Sequence, residues 1–439
     1  VDGFNTAVGH EAGKVMSTGI QSTLIGAFAG DALTTGQYNV AVGMYALSSE
    51  DGDGYNTALG YKALYDQNAG ANAYNVAVGH AAGENISTGV RNTLVGSHAG
   101  DNITTGSYNI AIGYAALSSE DTHSYNTAVG YNALRLQNAG ADAYNVALGY
   151  NAGENISTGA GNTLIGSQAG DALTTGGFNT VVGKSALSTE DTNGYCTAVG
   201  YQALMTQDAG ADALNTAVGF DAGGDITTGI RNTLMGHEAG NTLTTGVRNV
   251  AIGFAALGAE DAHGYNVAIG YEALRLQDAG ADAYNVAIGF DAGQAVTTGP
   301  YNTLIGGLAG DALTTGDRNV AIGTSALGAE DTGGKNVAIG ANALYVQDAG
   351  ADAYNVAVGY NAGVAVTTGT ENTIIGGLAG DALTTGSNNV AIGYNALSTE
   401  DTGGRNVAIG KAALYSLDAG ADAYNIAVGF NAGYSLSTG

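Results

Sequence analysis

The sequence predicts an all-β chain, a parallel β-solenoid of 25 coils, and three observations carry that prediction. A five-residue block, Asn75-Val76-Ala77-Val78-Gly79, returns as Asn92-Thr93-Leu94-Val95-Gly96, Asn109-Ile110-Ala111-Ile112-Gly113 and Asn126-Thr127-Ala128-Val129-Gly130, and again from Asn145. The spacings are 17, 17, 17 and 19 residues, which makes a unit of 70 that begins at Asn5, Asn75, Asn145, Asn215, Asn285, Asn355 and Asn425. Composition is the third observation. Among 439 residues there are 73 Gly, one Pro, no Trp and 7 Phe, which suits closely stacked backbone better than a core of large side chains.

The block itself reads as a strand. It is rich in Val, Ile and Thr, closes on Gly, and is followed by turn chemistry such as Thr104-Thr105-Gly106. A helix is excluded by the density of Gly, each of which costs a helix interior about 1 kcal/mol relative to Ala. Seventeen residues allow two short strands and two turns, so the segment Gly113-Tyr114-Ala115-Ala116-Leu117 is expected to supply a return strand. Identical positions would then sit about 4.8 Å apart, and 25 coils would make a rod of roughly 120 Å, one continuous repeat domain over residues 1–439.

Stacking assigns roles to the repeated positions. Every block ends in Gly, its fourth residue is always Val, Ile, Leu or Met, and none contains a charge. The leading Asn, replaced only at Ser22 and Cys196, is expected to form a ladder in which each side-chain amide donates to the next. The closing Gly permits a corner of positive φ or close approach. Within a unit the coils differ: the first two carry Ala-Gly after the strand (Ala82-Gly83, Ala99-Gly100) and the last two Ala-Leu (Ala116-Leu117, Ala133-Leu134). The second coil has Leu or Ile in mid-strand, as at Leu94, and the fourth carries two extra residues within 138–143, predicted to bulge outward.

Alternation along the strand bears on oligomeric state. Val76 and Val78 share one face and Asn75, Ala77 and Gly79 the other, and this second face is small and uncharged in all 25 coils. Read as a surface, it is an interface stripe, and three copies around one axis are the simplest closed way to cover it. A homotrimer is therefore expected, against the alternative of a single solenoid with the stripe exposed.

These residues resemble a known family. Tyr284-Asn285-Val286-Ala287-Ile288-Gly289 is similar to the head repeats of trimeric autotransporter adhesins, which read approximately Asn-Ser-Val-Ala-Ile-Gly. The longer pattern from Asn145 through Gly149-Tyr150-Asn151-Ala152-Gly153 to Ser157-Thr158-Gly159 also resembles repeat regions of bacterial and phage tail-fibre proteins that end in a self-cleaving chaperone. The resemblance implies a left-handed parallel β-roll, three chains side by side, and a role in adhesion or host contact at a cell surface or on a virion.

Charge excludes some partners. Lys plus Arg number 12 against 39 Asp plus Glu, a formal charge of -27, which opposes nucleic acid and anionic membrane and keeps a large repetitive surface soluble. No apolar run approaches the roughly 20 residues that span a bilayer, so no membrane insertion is expected. Val1 and Gly439 both fall within the repeat pattern, which suggests a segment of something longer or a mature piece. Cys196 stands alone, so it forms no intrachain disulfide, and it reads as a buried thiol in place of an Asn.

Candidate sites are few. His10, His80, His98, His123, His237 and His263 are the metal or acid-base candidates, but His10 and His80 would lie about 19 Å apart and read as surface positions that drift between His, Tyr and Phe. Glu120-Asp121 recurs as Glu50-Asp51, Glu190-Asp191, Glu260-Asp261, Glu330-Asp331 and Glu400-Asp401 in a turn after the third strand. Asp51, Asp53, Glu120 and Asp121 are weak Ca²⁺ candidates without the fixed spacing of an EF-hand, and a solvated acidic turn is the competing reading. Otherwise no cofactor is expected. Asn85-Ile86-Ser87, Asn102-Ile103-Thr104 and Asn155-Ile156-Ser157 fit the glycosylation sequon. With no catalytic triad, phosphate loop or paired Cys, an enzyme is not expected. The expected function is an extracellular fibre shaft or adhesive head that meets a receptor or glycan. Alternatives are a filament stacking end to end and an ice- or surface-binding solenoid.

Overall fold

A computed structural model describes residues 3–438, so Val1, Asp2 and Gly439 lie outside the described residues. The chain is an all-β parallel solenoid with 25 strands of three residues each and no helix among the described residues. It divides into two compact units, the first ending at Val218 and the second beginning at Gly219. Strands β1 (Thr6–Val8) to β13 (Thr216–Val218) belong to the first, and β14 (Thr233–Met235) to β25 (Ile426–Val428) to the second.

Within each unit every strand pairs in parallel with the next, position on position. Val76, Ala77 and Val78 sit beside Thr93, Leu94 and Val95. The longer fourth coil keeps this register: Thr127 and Ala128 pair with Val146 and Ala147, and Val267 and Ala268 with Val286 and Ala287. Its two extra residues are absorbed outside the stack. Gly140, Ala141 and Asp142 are exposed, and a side chain built on Gly140 would meet nothing within 4 Å.

The expected return strand is absent among the described residues. Residues 114–117 form turns, with Ala115 at φ 51° and Leu117 at φ 52°. Left-handed residues alternating with right-handed ones fold this leg too tightly for extended geometry. It still bonds from coil to coil, since the Ala115 amide donates to the Ser97 carbonyl (3.0 Å) and the Leu117 amide to that of Ala133 (2.9 Å).

The two strand faces are also reversed from the sequence expectation. Asn75 and Ala77 are fully buried inside a single chain, and the half-exposed face is that of Val76 and Val78. A 17-residue coil encloses a narrow interior that Ala fills together with a few Leu and Ile side chains such as Leu94 and Leu117, so the Ala stripe is part of the core and not an interface.

Core packing explains the differences between coils. Leu94 is fully buried, and a Cβ on Gly83 or Gly100 would lie 2.6 or 2.8 Å from its methyl carbons. Ala-Gly in the first two coils therefore makes room for the second coil's Leu. Where the strand carries Ala, as at Ala111 and Ala128, the buried Leu117 and Leu134 fill the same space from the opposite leg. The closing Gly is equally constrained: Gly130 has φ +141°, and a Cβ there would lie 2.1 Å from the Gly149 carbonyl oxygen.

The Asn ladder exists with different donors from those expected. Its backbone amides, not its side-chain amides, link successive Asn residues: Asn92 N–H donates to Asn75 Oδ1 (2.8 Å), and Asn109 N–H to Asn92 Oδ1 (2.9 Å). In the first three coils of a full unit Nδ2 is left to close its own coil, as in Asn75, Asn92 and Asn109, which donate to the carbonyls of Gly89 (2.7 Å), Gly106 (2.9 Å) and His123 (2.9 Å). In the fourth coil the buried Nδ2 of Asn56, Asn126, Asn266, Asn336 and Asn406 makes no hydrogen bond. Ser22 keeps the relay, its Oγ accepting from the Asn39 amide, and the Cys196 amide still donates to Asn179 Oδ1. Burial of the Cys196 thiol pushes its pKa up to about 12, so it is not a thiolate nucleophile at neutral pH.

Candidate functional site

Two features stand out on this scaffold, an apolar strand face and an acidic corner. The face follows from the pleat: the second and fourth residues of each block point away from the buried Asn and Ala. In all 25 coils these residues are Thr, Val, Ile, Leu or Met, never charged. Ile110 and Ile112 are 39% and 38% exposed, and Val146, Leu148, Met235 and Ile339 are comparable.

Aromatic columns border the strand in sequence. Tyr108, Tyr125 and Tyr144 stack with centroids 5.3 and 5.1 Å apart, and Tyr114, Tyr131 and Tyr150 at 5.2 and 5.4 Å. In the second unit Phe254, Tyr271 and Phe290 do the same. The rings face one another, so they turn edges and not faces outward, unlike a platform for sugar rings. Arg91 and Arg248 lie over Tyr108 and Tyr265, each at 5.2 Å. His10, His80, His98 and His237 belong to these columns. His80 and His98 are 5.3 Å apart, and His237 stacks between Phe220 and Phe254.

His123 and His263 are placed differently, at the acidic corners. There the expected solvated turn is only half right. The Asp residues are exposed or half-exposed, but Glu50, Glu120, Glu190, Glu260, Glu330 and Glu400 are all fully buried. Each Glu closes its turn by accepting the backbone amide three residues on, Asp53 for Glu50 (2.7 Å), His123 for Glu120 (3.1 Å) and Gly333 for Glu330 (2.7 Å). Burial raises the pKa of Glu50 to about 8; the Asp53 amide opposes the shift and the charges of Asp53 and Asp51 reinforce it. Burial likewise raises Glu120, Glu190, Glu260 and Glu330.

These corners bring ligand atoms within 4.8 Å of one another in five groups: Glu120–Asp121–His123, Glu190–Asp191–Asp208, Glu260–Asp261–His263–Asp278, Glu330–Asp331–Asp348 and Glu400–Asp401–Asp418. Of the residues singled out from sequence, Glu120 and Asp121 come together. Asp51 and Asp53 join no such group among the described residues; Asp53 is buried against Glu50. The sequence reading missed Asp208, Asp278, Asp348 and Asp418. Their signal was the coil period, since each lies 17 residues after an Asp of the pair.

The sequon residues serve the turns: Asn85 Nδ2 donates to Asn102 Oδ1, and Asn155 Nδ2 to the Asp171 carbonyl. No helix among the described residues is long and apolar enough to cross a membrane. Fold and surface together define a parallel β-solenoid repeat protein. No protein-family model matches the chain, and no curated protein is similar to it.

Proposed function

We propose that this chain is the structural shaft or adhesive head of an extracellular fibre, built from three copies packed through their outward strand faces. One observation carries the reading: the uncharged, half-exposed face persists in every coil of both units. Thirteen coils at about 4.8 Å, each presenting about 10 Å of strand, give on the order of 600 Å² per unit. A patch of that size lies at the upper end of what monomers expose, a range in which the patch is often functional.

The surface chemistry favours a second copy as occupant. A partner must match a flat, charge-free strip with the coil period, and another copy of this chain has it. The acidic turns that give the formal charge of -27 lie off the strand, so repulsion does not oppose packing at the face. Three strips around one axis close the assembly without leaving a strip open. On this reading the fibre supports contact with a cell-surface receptor or glycan, and its many equivalent coils allow weak contacts to add.

The test is mass under native conditions. The reading expects three times 43.4 kDa for the chain and a folded single chain for Ile110→Lys/Ile112→Lys, which places charge on a face already exposed in one chain. A single chain of 43.4 kDa at micromolar concentration would overturn it. Polymers of unlimited length would replace it with the end-to-end filament.

A further inference from the structure

The two acidic corners that carry histidine have an unmet electrostatic need. At Glu260, which is fully buried, Oε1 accepts the His263 amide (3.1 Å) and lies 3.3 Å from its ring Nδ1, while the buried Oε2 has no hydrogen-bond partner. Glu120 repeats this arrangement around His123, and there Asp121 Oδ1 is a second buried oxygen without a partner. The fold does not impose this. At Glu330 the same Oε2 accepts from Gln347 Nε2 (3.1 Å), and at Glu400 from the Ala419 amide (3.2 Å). Glu50 and Glu190 share the bare oxygen but have no imidazole beside them.

A buried carboxylate oxygen among like charges is costly unless a hydrogen-bond donor, a proton or a cation meets it. At Glu260 the donor equivalent to Gln347, the buried Gln277 Nε2, makes no hydrogen bond. We propose that Glu260, Asp261, His263 and Asp278 form a binding site for a divalent transition-metal ion of the zinc type, and Glu120, Asp121 and His123 a smaller second site. The four ligand atoms of the first group already lie within 4.8 Å of one another. Glu260 is anchored in the turn, whereas Asp261 and Asp278 are exposed and free to close on an ion arriving from solvent. One imidazole nitrogen with carboxylate oxygens suits zinc and its neighbours better than Ca²⁺ or Mg²⁺, which prefer oxygen alone. Asp261 and Asp278 lie one coil apart, so the ion would also tie successive coils together. The inference is independent of the fibre reading.

Equilibrium dialysis of the full chain against micromolar Zn²⁺ at pH 7 and physiological salt, with bound metal counted by mass spectrometry, tests it. Two zinc ions per chain are expected, undiminished by millimolar Ca²⁺. His263→Ala should remove one and His123→Ala the other, Glu260→Gln should weaken its site at least tenfold, and His237→Ala, in an aromatic column, should leave the count at two. Circular dichroism checks that each variant is folded; if Glu260→Gln is not, the two histidine variants decide. No retained zinc would mean that a proton or a neighbouring amide donor such as Gln277 Nε2 meets the need. A count unchanged by both histidine substitutions would mean diffuse binding to acidic surface. Either result overturns the proposal.

Discussion

Replacing Asn145 by Ala removes a side chain that serves three groups at once. Its Oδ1 accepts the Asn162 amide (2.8 Å), and its Nδ2 donates to Gln137 Oε1 (2.6 Å) and the Gly159 carbonyl (2.7 Å). Asn145 is fully buried, so water cannot substitute. Leaving a buried donor or acceptor unpaired costs about 1–3 kcal/mol. Counting only the Asn162 amide and the Gly159 carbonyl, the loss is about 2–6 kcal/mol. Because solenoid energetics are local, the loss should appear in denaturant unfolding and also as faster hydrogen exchange at the Asn162 amide. Asn145→Ser should recover part of it, since Ser22 Oγ accepts the Asn39 amide at 3.2 Å in the same role. If Asn145→Ala costs less than about 1 kcal/mol, no more than a surface substitution, the ladder is not what holds the coils in register.

The closing Gly should be as intolerant as the ladder. In Gly130→Ala the new methyl would lie 2.1 Å from the Gly149 oxygen, so a loss of more than about 3 kcal/mol is expected, against about 1–2 kcal/mol for Gly140→Ala, where only positive φ opposes the change; equal unfolding midpoints would refute the close approach. For pH, Glu50 has its pKa raised from 4.5 to about 8, so the protonated form is the one that folding favours. Its stabilisation is complete below pH 4.5 and is lost as pH rises through about 8, by at most about 5 kcal/mol at 1.36 kcal/mol per unit. Urea midpoints should therefore fall between pH 5 and pH 9, and fall less in Glu50→Gln; identical slopes would contradict this.

The coil count, the 17-17-17-19 period and the parallel register were legible because Asn75, Gly79 and their equivalents mark the same place in every coil. The return leg was not. Nothing in the letters of Ala115 or Leu117 signals a left-handed backbone, which non-Gly residues adopt here only because bonds above and below hold them. The face assignment failed for a related reason. Small uncharged residues such as Ala77 usually suggest close contact between surfaces, and only the narrowness of the coil makes them the interior. At the acidic corner, charge suggested solvent, yet Glu120 is buried because its carboxylate accepts a turn amide. The partner Asp residues were in reach of the sequence by counting one coil onward.

Coil stacking in fixed register is the claim on which the rest depends, and the denaturant-unfolding profile of two deletions tests it most directly. Removing Asn145 to Leu214 joins Tyr144 to Asn215, the same junction that Tyr144 makes with Asn145, and restores Thr127 to a partner of identical position, Thr216. That variant should stay soluble and unfold cooperatively, with a slope reduced only in proportion to the surface lost. Removing Asn145 to Tyr150 instead takes away strand β9 (Val146–Leu148) and its corner Gly149, setting turn residues where the buried ladder must continue. It should aggregate or show no cooperative transition. Two equally cooperative profiles would contradict the account.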